Sequence, residues 1–190
     1  MNITLSVDGV SFPVSYSMIG DLVLGLDEYS PEQRQALICL VNHNDYTVRA
    51  VVAGKENLPQ ECYRQLADDA SVEVLSELLT NKSFHQYATM DIYQKILQRD
   101  PRLLSEISGN IDMIEPELLP KVAQWLLSLD DYKIKWNLAD SISTPKSLLR
   151  TLAGDPDETI AELARSQFSS DGATVFDVDD EGDPFGERDD

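Results

Sequence analysis

The chain is poor in cysteine and histidine, and this scarcity excludes several kinds of site. It has two cysteines and two histidines in 190 residues, too few for a disulfide scaffold, and they form neither a CxxC nor an HxxxH zinc pair. Cys39, His43, Cys62 and His85 are therefore interpreted as structural residues, and we expect no metal and no cofactor. A Gly-rich phosphate loop, a nucleophile elbow and a Ser/His/Asp set are also missing, so an enzyme is not expected.

Basic residues are scarce as well: 15 Lys and Arg stand against 34 Asp and Glu, for a net charge of −19. A surface of this sign repels phosphate, so direct binding of nucleic acid is not expected. It suits a basic protein partner or a site that normally receives nucleic acid, although solubility alone would also account for it. No apolar run reaches membrane length, and the Met1 segment lacks signal-peptide features, so we expect a cytoplasmic protein without membrane contact.

What the chain does contain is a repeated helical pattern. Each copy has an apolar helix end, a polar break that carries Asp, and an aliphatic residue that begins the next helix. The aspartates of the breaks recur at intervals of 24, 31, 31 and 24 residues, by subtraction of their positions: Asp45, Asp69, Asp100, Asp131 and Asp155. Such self-similarity is typical of stacked repeats. We therefore predict a mainly α fold, an α-solenoid of about five units, over residues 30–170.

Local signals place the helix ends within these units. Ser30-Pro31, Pro59 and Thr144-Pro145 are typical helix starts, and Gly54 is placed to end a helix. We further predict an irregular segment over Asn81–Tyr87, a helix that resumes at Pro116, and a last helix over Thr159–Phe168.

The first residues change to strand periodicity. Apolar and polar residues alternate on both sides of Asp8-Gly9, a pair that favours a two-residue hairpin turn. An isolated hairpin is marginal in water, so we expect it to pack on the first helices as an end cap, with Pro13 on an edge strand. Ile19–Leu26 is expected to add one or two helical turns, which makes residues 1–29 an N-terminal cap.

After Ser170 the aliphatic periodicity stops, and residues 171–190 contain nine acidic residues and one basic residue. We predict a disordered acidic tail. It is either a solvated end or a docking peptide that inserts an aromatic ring into a basic-rimmed pocket. Its candidate binding residues are Phe176, Asp177, Asp179, Asp180, Glu181, Asp183 and Phe185.

Several stretches resemble a known repeat family. Val48-Arg49, Ala53, Leu58-Pro59 and 66–69 (LADD), then Thr144-Pro145 and 152–157 (LAGDPD), are similar to the bacterial leucine-rich repeat variant, a HEAT-like α-solenoid. The resemblance covers residues 36–168 and implies stacked helices with one curved face, not an activity. The N-terminal cysteine cluster of the iron–sulfur members is missing. The similar alkylpurine DNA glycosylases need a basic concave face, which this acidic chain does not offer.

Two groups of body residues invite a functional interpretation. Trp125, Tyr132 and Trp136 surround the fourth break, either as packing between helices or as an aromatic patch that anchors a partner. The acidic pairs 68–69 and 130–131 lie in breaks, where capping of the following helix is expected rather than acid–base catalysis.

Three functions follow, in decreasing order of expectation. The first is a non-catalytic protein–protein interaction module, an adaptor, scaffold or inhibitor that binds a basic protein on the solenoid face. The second is an acidic nucleic-acid mimic that inhibits a DNA- or RNA-binding enzyme. The third is a HEAT-like DNA-repair enzyme.

Overall fold

The structure, a computed structural model, describes residues 3–27 and 29–170. It is mainly helical, with a two-stranded hairpin at its N-terminal side, and none of the described helices is long and apolar enough to cross a bilayer. The strands are β1 (Thr4–Val7) and β2 (Val10–Pro13). The helices are α1 (Tyr16–Gly25), α2 (Pro31–Val41), α3 (Tyr46–Ala53), α4 (Gln60–Leu66), α5 (Val72–Leu79), α6 (Lys82–His85), α7 (Met90–Arg99), α8 (Leu104–Gly109), α9 (Leu119–Ser128), α10 (Tyr132–Asp140), α11 (Lys146–Leu152) and α12 (Glu158–Ser170).

The hairpin forms as predicted, around a turn in which both central residues have positive φ. Asp8 has φ 49° and Gly9 has φ 82°, the conformation that the Asp-Gly pair favours. The expectation that the hairpin packs on the helices as a cap is wrong for its strands, whose residues are all exposed. Only the base of the hairpin is anchored, because Ile3 and Val14 pack against the core.

The described helices pack mainly on helices that lie near them in the sequence. In one series of neighbours α3 contacts α1 and α5, α5 contacts α8, and α10 contacts α8 and α12. The remaining contacts include α2 with α4, and α11 with α10 and α12. A cluster of buried apolar residues, aliphatic and aromatic, runs through these contacts, from Ile19 in α1 to Ala164 in α12.

Most predicted helix ends are found, and three predictions need correction. Ser30 caps α2, since its Oγ accepts the N–H of Gln33 at 3.4 Å, and Pro59 and Pro145 precede α4 and α11. The segment predicted as one or two turns is the ten-residue helix α1. Residues 81–87 are not irregular, because Asn81 caps the short helix α6. The helix predicted from Pro116 begins only at Leu119, after a turn.

Side-chain hydrogen bonds join residues of successive Asp-to-Asp intervals of the sequence, each of which is called a unit below. The Nδ2 of Asn81 donates to the backbone oxygens of Ala53 and Lys55 at 2.7 and 2.8 Å. Further along, the Nδ2 of Asn137 donates to the Oγ of Ser108 at 2.7 Å, and the Ser141 hydroxyl donates to Asp112. Each of these bonds joins residues 26 to 29 positions apart, about one unit.

Candidate functional site

Two of the units are joined to the next by the same ion pair. Arg49 lies four residues after Asp45 and pairs with Asp69, while Lys135 lies four residues after Asp131 and pairs with Asp155. In each case the cation follows one break aspartate by four residues and pairs with the next break aspartate, which lies 24 residues after the first. This pairing repeats with the 24-residue interval and was not foreseen, although the spacing of Asp, base and Asp is visible in the sequence.

In the first of these pairs the guanidinium of Arg49 donates four hydrogen bonds, two of them to the Asp69 carboxylate. Arg49 donates from Nε to Asp69 Oδ2 at 2.6 Å and from Nη2 to Oδ1 at 2.9 Å. Its Nη1 donates to the backbone oxygens of His43 and Asn44 at 2.7 and 3.1 Å. Burial alone would raise the pKa of Asp69, but the hydrogen bonds from Arg49 and from the Ser71 N–H hold it below its usual value.

In the first of the two 31-residue intervals, which begins at Asp69, the sign of the equivalent residue is reversed. The residue four positions after Asp69 is Glu73, which carries a negative charge where the shorter units carry a base. Its hydrogen bond from the Ser71 hydroxyl, at 2.7 Å, is the main cause that lowers its pKa, and attraction to Arg102 adds to this. The carboxylate therefore remains charged at neutral pH, and within residues 3–27 and 29–170 it faces the next unit without an ion pair closer than 4.0 Å.

An open groove of about 690 Å³ lies at this position, between α5 and the segment that leads into α8. Glu73, Ser76 and Glu77 line one wall, while Arg102 and Glu106 line the other. The guanidinium of Arg102 is held by its neighbour Asp100, with Nη2 2.6 Å from Oδ2 and Nε 3.0 Å from both carboxylate oxygens. The only cation of the lining is thus paired, and three glutamates give the groove an acidic character.

These glutamates were not predicted as site residues. Single acids on helix surfaces are common, and their meaning depends on which face each one occupies. The available signal was the reversed charge of Glu73, together with the change of interval from 24 to 31 residues at the same point.

The predicted aromatic residues have different surroundings. Trp125 is partly buried and packs against the core, as the packing interpretation expects. Tyr132 and Trp136 are 56% and 38% exposed, so packing between helices does not describe them. They lie four residues apart on α10 and therefore on the same face of it. Tyr46, at the equivalent start of α3, is 46% exposed.

The capping expected of the acidic pairs 68–69 and 130–131 is found at Asp131, and Asp45 of the first break caps a helix as well. Asp45 and Asp131 accept helix N–H groups from Thr47 at 3.0 Å and Ile134 at 3.1 Å. Asp69 instead accepts the N–H of Ser71, the residue before α5, so it forms a turn rather than a helix cap. Asp68 pairs with Lys95 and Asp130 with Lys135.

The cysteines and histidines do not come together. Cys39 is exposed, and Cys62, His43 and His85 are buried. Within residues 3–27 and 29–170, no group of three or more His, Cys, Asp or Glu side chains is placed to hold a metal. His85 is fully enclosed: its Nε2 lies 2.8 Å from the Leu79 oxygen and its Nδ1 lies 2.6 Å from the Tyr93 hydroxyl.

A smaller cavity lies beside these residues. It measures about 140 Å³ and is lined mainly by Tyr63, Phe84 and Tyr87, with Arg64 at its side. The rings of Tyr63 and Tyr87 stack with centroids 5.3 Å apart. Pockets that enclose small-molecule ligands usually measure about 300 Å³ or more, so this cavity is below that size.

The predicted tail residues, from Phe176 to Phe185, lie outside the described residues. Comparisons of the chain with protein-family models, curated proteins and solved structures found no match. The function proposed below therefore rests on the residues of this chain alone.

Proposed function

We propose that the protein is a non-catalytic interaction module that binds a basic segment of a partner protein in the groove between α5 and α8. The observation that carries this proposal is the acidic lining of the groove by Glu73, Glu77 and Glu106. Its volume of about 690 Å³ accommodates several side chains of a peptide. The overall charge of −19 attracts a cationic segment over a distance and accelerates its association.

The proposed architecture is an α-solenoid of HEAT-like units, similar to the leucine-rich repeat variant. It is supported by the consecutive helix contacts and by the ion pairs that repeat at the 24-residue interval. The corresponding helices α4 and α11 support it too: both have seven residues, follow a proline and end in leucine with an alanine after it. In such a stack the groove opens where the period lengthens.

Exposed aromatic residues occupy equivalent positions on two other helices. Val72 and Ser76 line it from the first and fifth positions of α5. The same positions of α10 hold Tyr132 and Trp136, and Tyr46 is the first residue of α3. Equivalent positions of stacked helices face the same side, so a bound segment would extend from the acids towards these rings. Arginine and lysine side chains are attracted to aromatic faces.

A second function, the nucleic-acid mimic, requires rows of unengaged carboxylates. The repeated acids of the breaks are engaged: Asp45 and Asp131 hold helix N–H groups, and Asp69 and Asp155 hold cations. We therefore propose the groove, rather than a row of phosphate-like acids, as the site.

The test uses a fluorescently labelled decalysine peptide and measures its affinity by fluorescence anisotropy. In the Glu73→Gln/Glu77→Gln variant we expect affinity to fall about tenfold, since two exposed charge contacts are worth about 0.2–1 kcal/mol each. The binding should also weaken as salt is added.

The matched control is Glu115→Gln/Glu117→Gln, which removes the same charge from exposed residues outside the groove lining. Its affinity should change by less than about twofold. If both double variants weaken binding equally, the peptide responds only to the net charge and the groove is not the site.

A further inference from the structure

The hairpin presents an uncovered apolar face. Leu5 pairs with Phe12 and Val7 with Val10 across the two strands, so these four side chains lie on one face and Thr4, Ser6, Ser11 and Pro13 on the other. The four apolar side chains are 37%, 38%, 52% and 66% exposed for Leu5, Phe12, Val7 and Val10. On the opposite face the hydroxyls of Ser6 and Ser11 are hydrogen-bonded to each other at 2.5 Å.

This pattern of one apolar and one polar face is what a sheet needs when its apolar face packs on another layer. Among residues 3–27 and 29–170 no element supplies that layer, since of the hairpin only Ile3 and Val14 at the base reach the core. A two-stranded hairpin is marginally stable in water, so burial of this face would also stabilise the hairpin itself.

The charge of the chain indicates what covers the face. Residues 3–20 contain a single charged side chain, Asp8 at the tip of the turn. A basic partner gains nothing from an uncharged surface, and it is attracted to the acidic parts of the molecule instead. Two copies of the chain, each at −19, repel one another over most of their surfaces, and this repulsion is smallest where the charge is lowest.

We propose that the hairpin is a self-association surface, on which the apolar face of one copy packs against the same face of a second copy. The contact is isologous, since the same four residues meet on both sides of a two-fold axis. Four partly exposed side chains bury much less than the roughly 800 Å² per partner of a standard interface. The dimer is therefore weak, with a dissociation constant in the micromolar range or above.

The test compares two lysine substitutions at neighbouring exposed positions, by sedimentation equilibrium of the full chain over a range of concentrations. Val10→Lys places a charge on the apolar face, while Ser11→Lys places the same charge on the polar face. We expect wild type to dimerise, and Val10→Lys to raise the dissociation constant at least about tenfold, because a charge would be buried in the contact.

Ser11→Lys should keep the dimer or tighten it, since it lowers the net negative charge. Circular dichroism of the three proteins checks that their helical content is equal. A wild-type chain that stays monomeric up to a concentration of about 1 mM would overturn the proposal. So would equal weakening by both substitutions, or a Val10→Lys variant that associates as wild type does.

The dependence on salt provides a second measurement that needs no variant. Salt screens the repulsion between two acidic copies, so self-association should strengthen as salt is added. Binding of a basic segment in the groove should weaken under the same change. Self-association that weakens with salt would indicate that ion pairs hold the copies together, and this would contradict the uncharged contact.

Discussion

Asp69 shows how a single cation allows a carboxylate to be buried between two units. Only 7% of its side chain is exposed, and a charge in such a place is tolerated when it is paired and hydrogen-bonded. The planar guanidinium of Arg49 does both, because it holds the two carboxylate oxygens and also two backbone oxygens of the preceding break. An ammonium group at the same place has three donors around one atom and no fork.

Arg49→Lys should therefore be costly although it conserves charge. We expect the free energy of unfolding to fall by about 1–3 kcal/mol, since at least one charged hydrogen bond is lost in a nearly enclosed place. Urea unfolding followed by circular dichroism would measure it.

The control is Arg34→Lys. Arg34 pairs with Glu61 through side chains that are 48% and 46% exposed, and exposed pairs of this kind contribute about 0–1 kcal/mol. The expected change is below about 0.5 kcal/mol. Equal losses in the two variants would contradict the role given to the fork.

His85 is a buried base that the fold keeps neutral. The Leu79 oxygen can only accept, so Nε2 carries the hydrogen, and Nδ1 accepts from the Tyr93 hydroxyl. Burial lowers the pKa of His85 below its usual value of 6.5, and it raises the pKa of the Tyr93 hydroxyl. The folded state therefore binds a proton less readily than the unfolded chain does.

The sign of the pH dependence follows from this. Above about pH 6.5 both states are neutral at His85, and below it only the unfolded chain gains a proton, so stability falls as the solution is acidified. The loss is at most about 1.4 kcal/mol per pH unit.

Other groups titrate too, so the comparison is with His85→Gln, which keeps a polar side chain and does not titrate. Between pH 7.5 and 5, the free energy of unfolding of wild type should fall relative to that of this variant, by at most about 2 kcal/mol, in urea unfolding. A difference that stays constant with pH would show that His85 is not held neutral.

At the scale of elements, α6 was not predicted because it is stabilised by residues that are far from it in the sequence. A segment of four helical residues gives no useful periodicity, and its sequence begins with Asn81, which is equally typical of turns. In the structure Asn81 accepts the N–H groups of Ser83 and Phe84 at 3.0 and 3.3 Å. Its donated bonds reach Ala53 and Lys55 in the preceding unit, a contact that the sequence does not reveal.

Asn81→Ala removes both functions of this amide. We expect a loss of about 2–4 kcal/mol in unfolding free energy: about 1 kcal/mol for the helix cap, and the rest for two backbone oxygens that lose their donor. Thr89→Ala is the matched control, because Thr89 caps α7 from an exposed position. It should cost about 0.5–1 kcal/mol, and an equal loss in both variants would show that the inter-unit bonds contribute little.

The hairpin is the opposite case, because its local structure was predicted and its surroundings were not. Its strands and turn could be read from local signals, the alternation of side chains and the positive φ of Asp8 and Gly9. The same alternation shows that one face is apolar, but it does not show what that face meets. The expected packing on the first helices was wrong for the strands for this reason, since Leu5 and Val10 are exposed.

At the scale of the molecule, the net charge follows from the composition, whereas the role of each acidic side chain depends on the fold. Composition alone predicts attraction of a basic partner. It does not separate Asp131, which caps α10, from Glu73, which lines the groove, because that separation depends on which helices are neighbours. Tyr132 and Trp136 were identified from the sequence, but their exposure required the structure.

The bonds that join neighbouring units fall into two sets, on either side of residue 100. Arg49 with Asp69 and Asn81 with Ala53 lie on the N-terminal side, and Asn137 with Ser108 and Lys135 with Asp155 lie on the C-terminal side. Between the two sets, α5 meets the following segment at the acidic groove, with the apolar Leu103 and Ile107 buried in the core.

We expect the described body to bend at the groove more readily than on either side of it. Apolar contacts are non-directional, whereas the forked ion pair of Arg49 with Asp69 fixes the orientation of the two segments that it joins. A peptide that lies in the groove would contact α5 and α8 at once, so it would also restrict this bending.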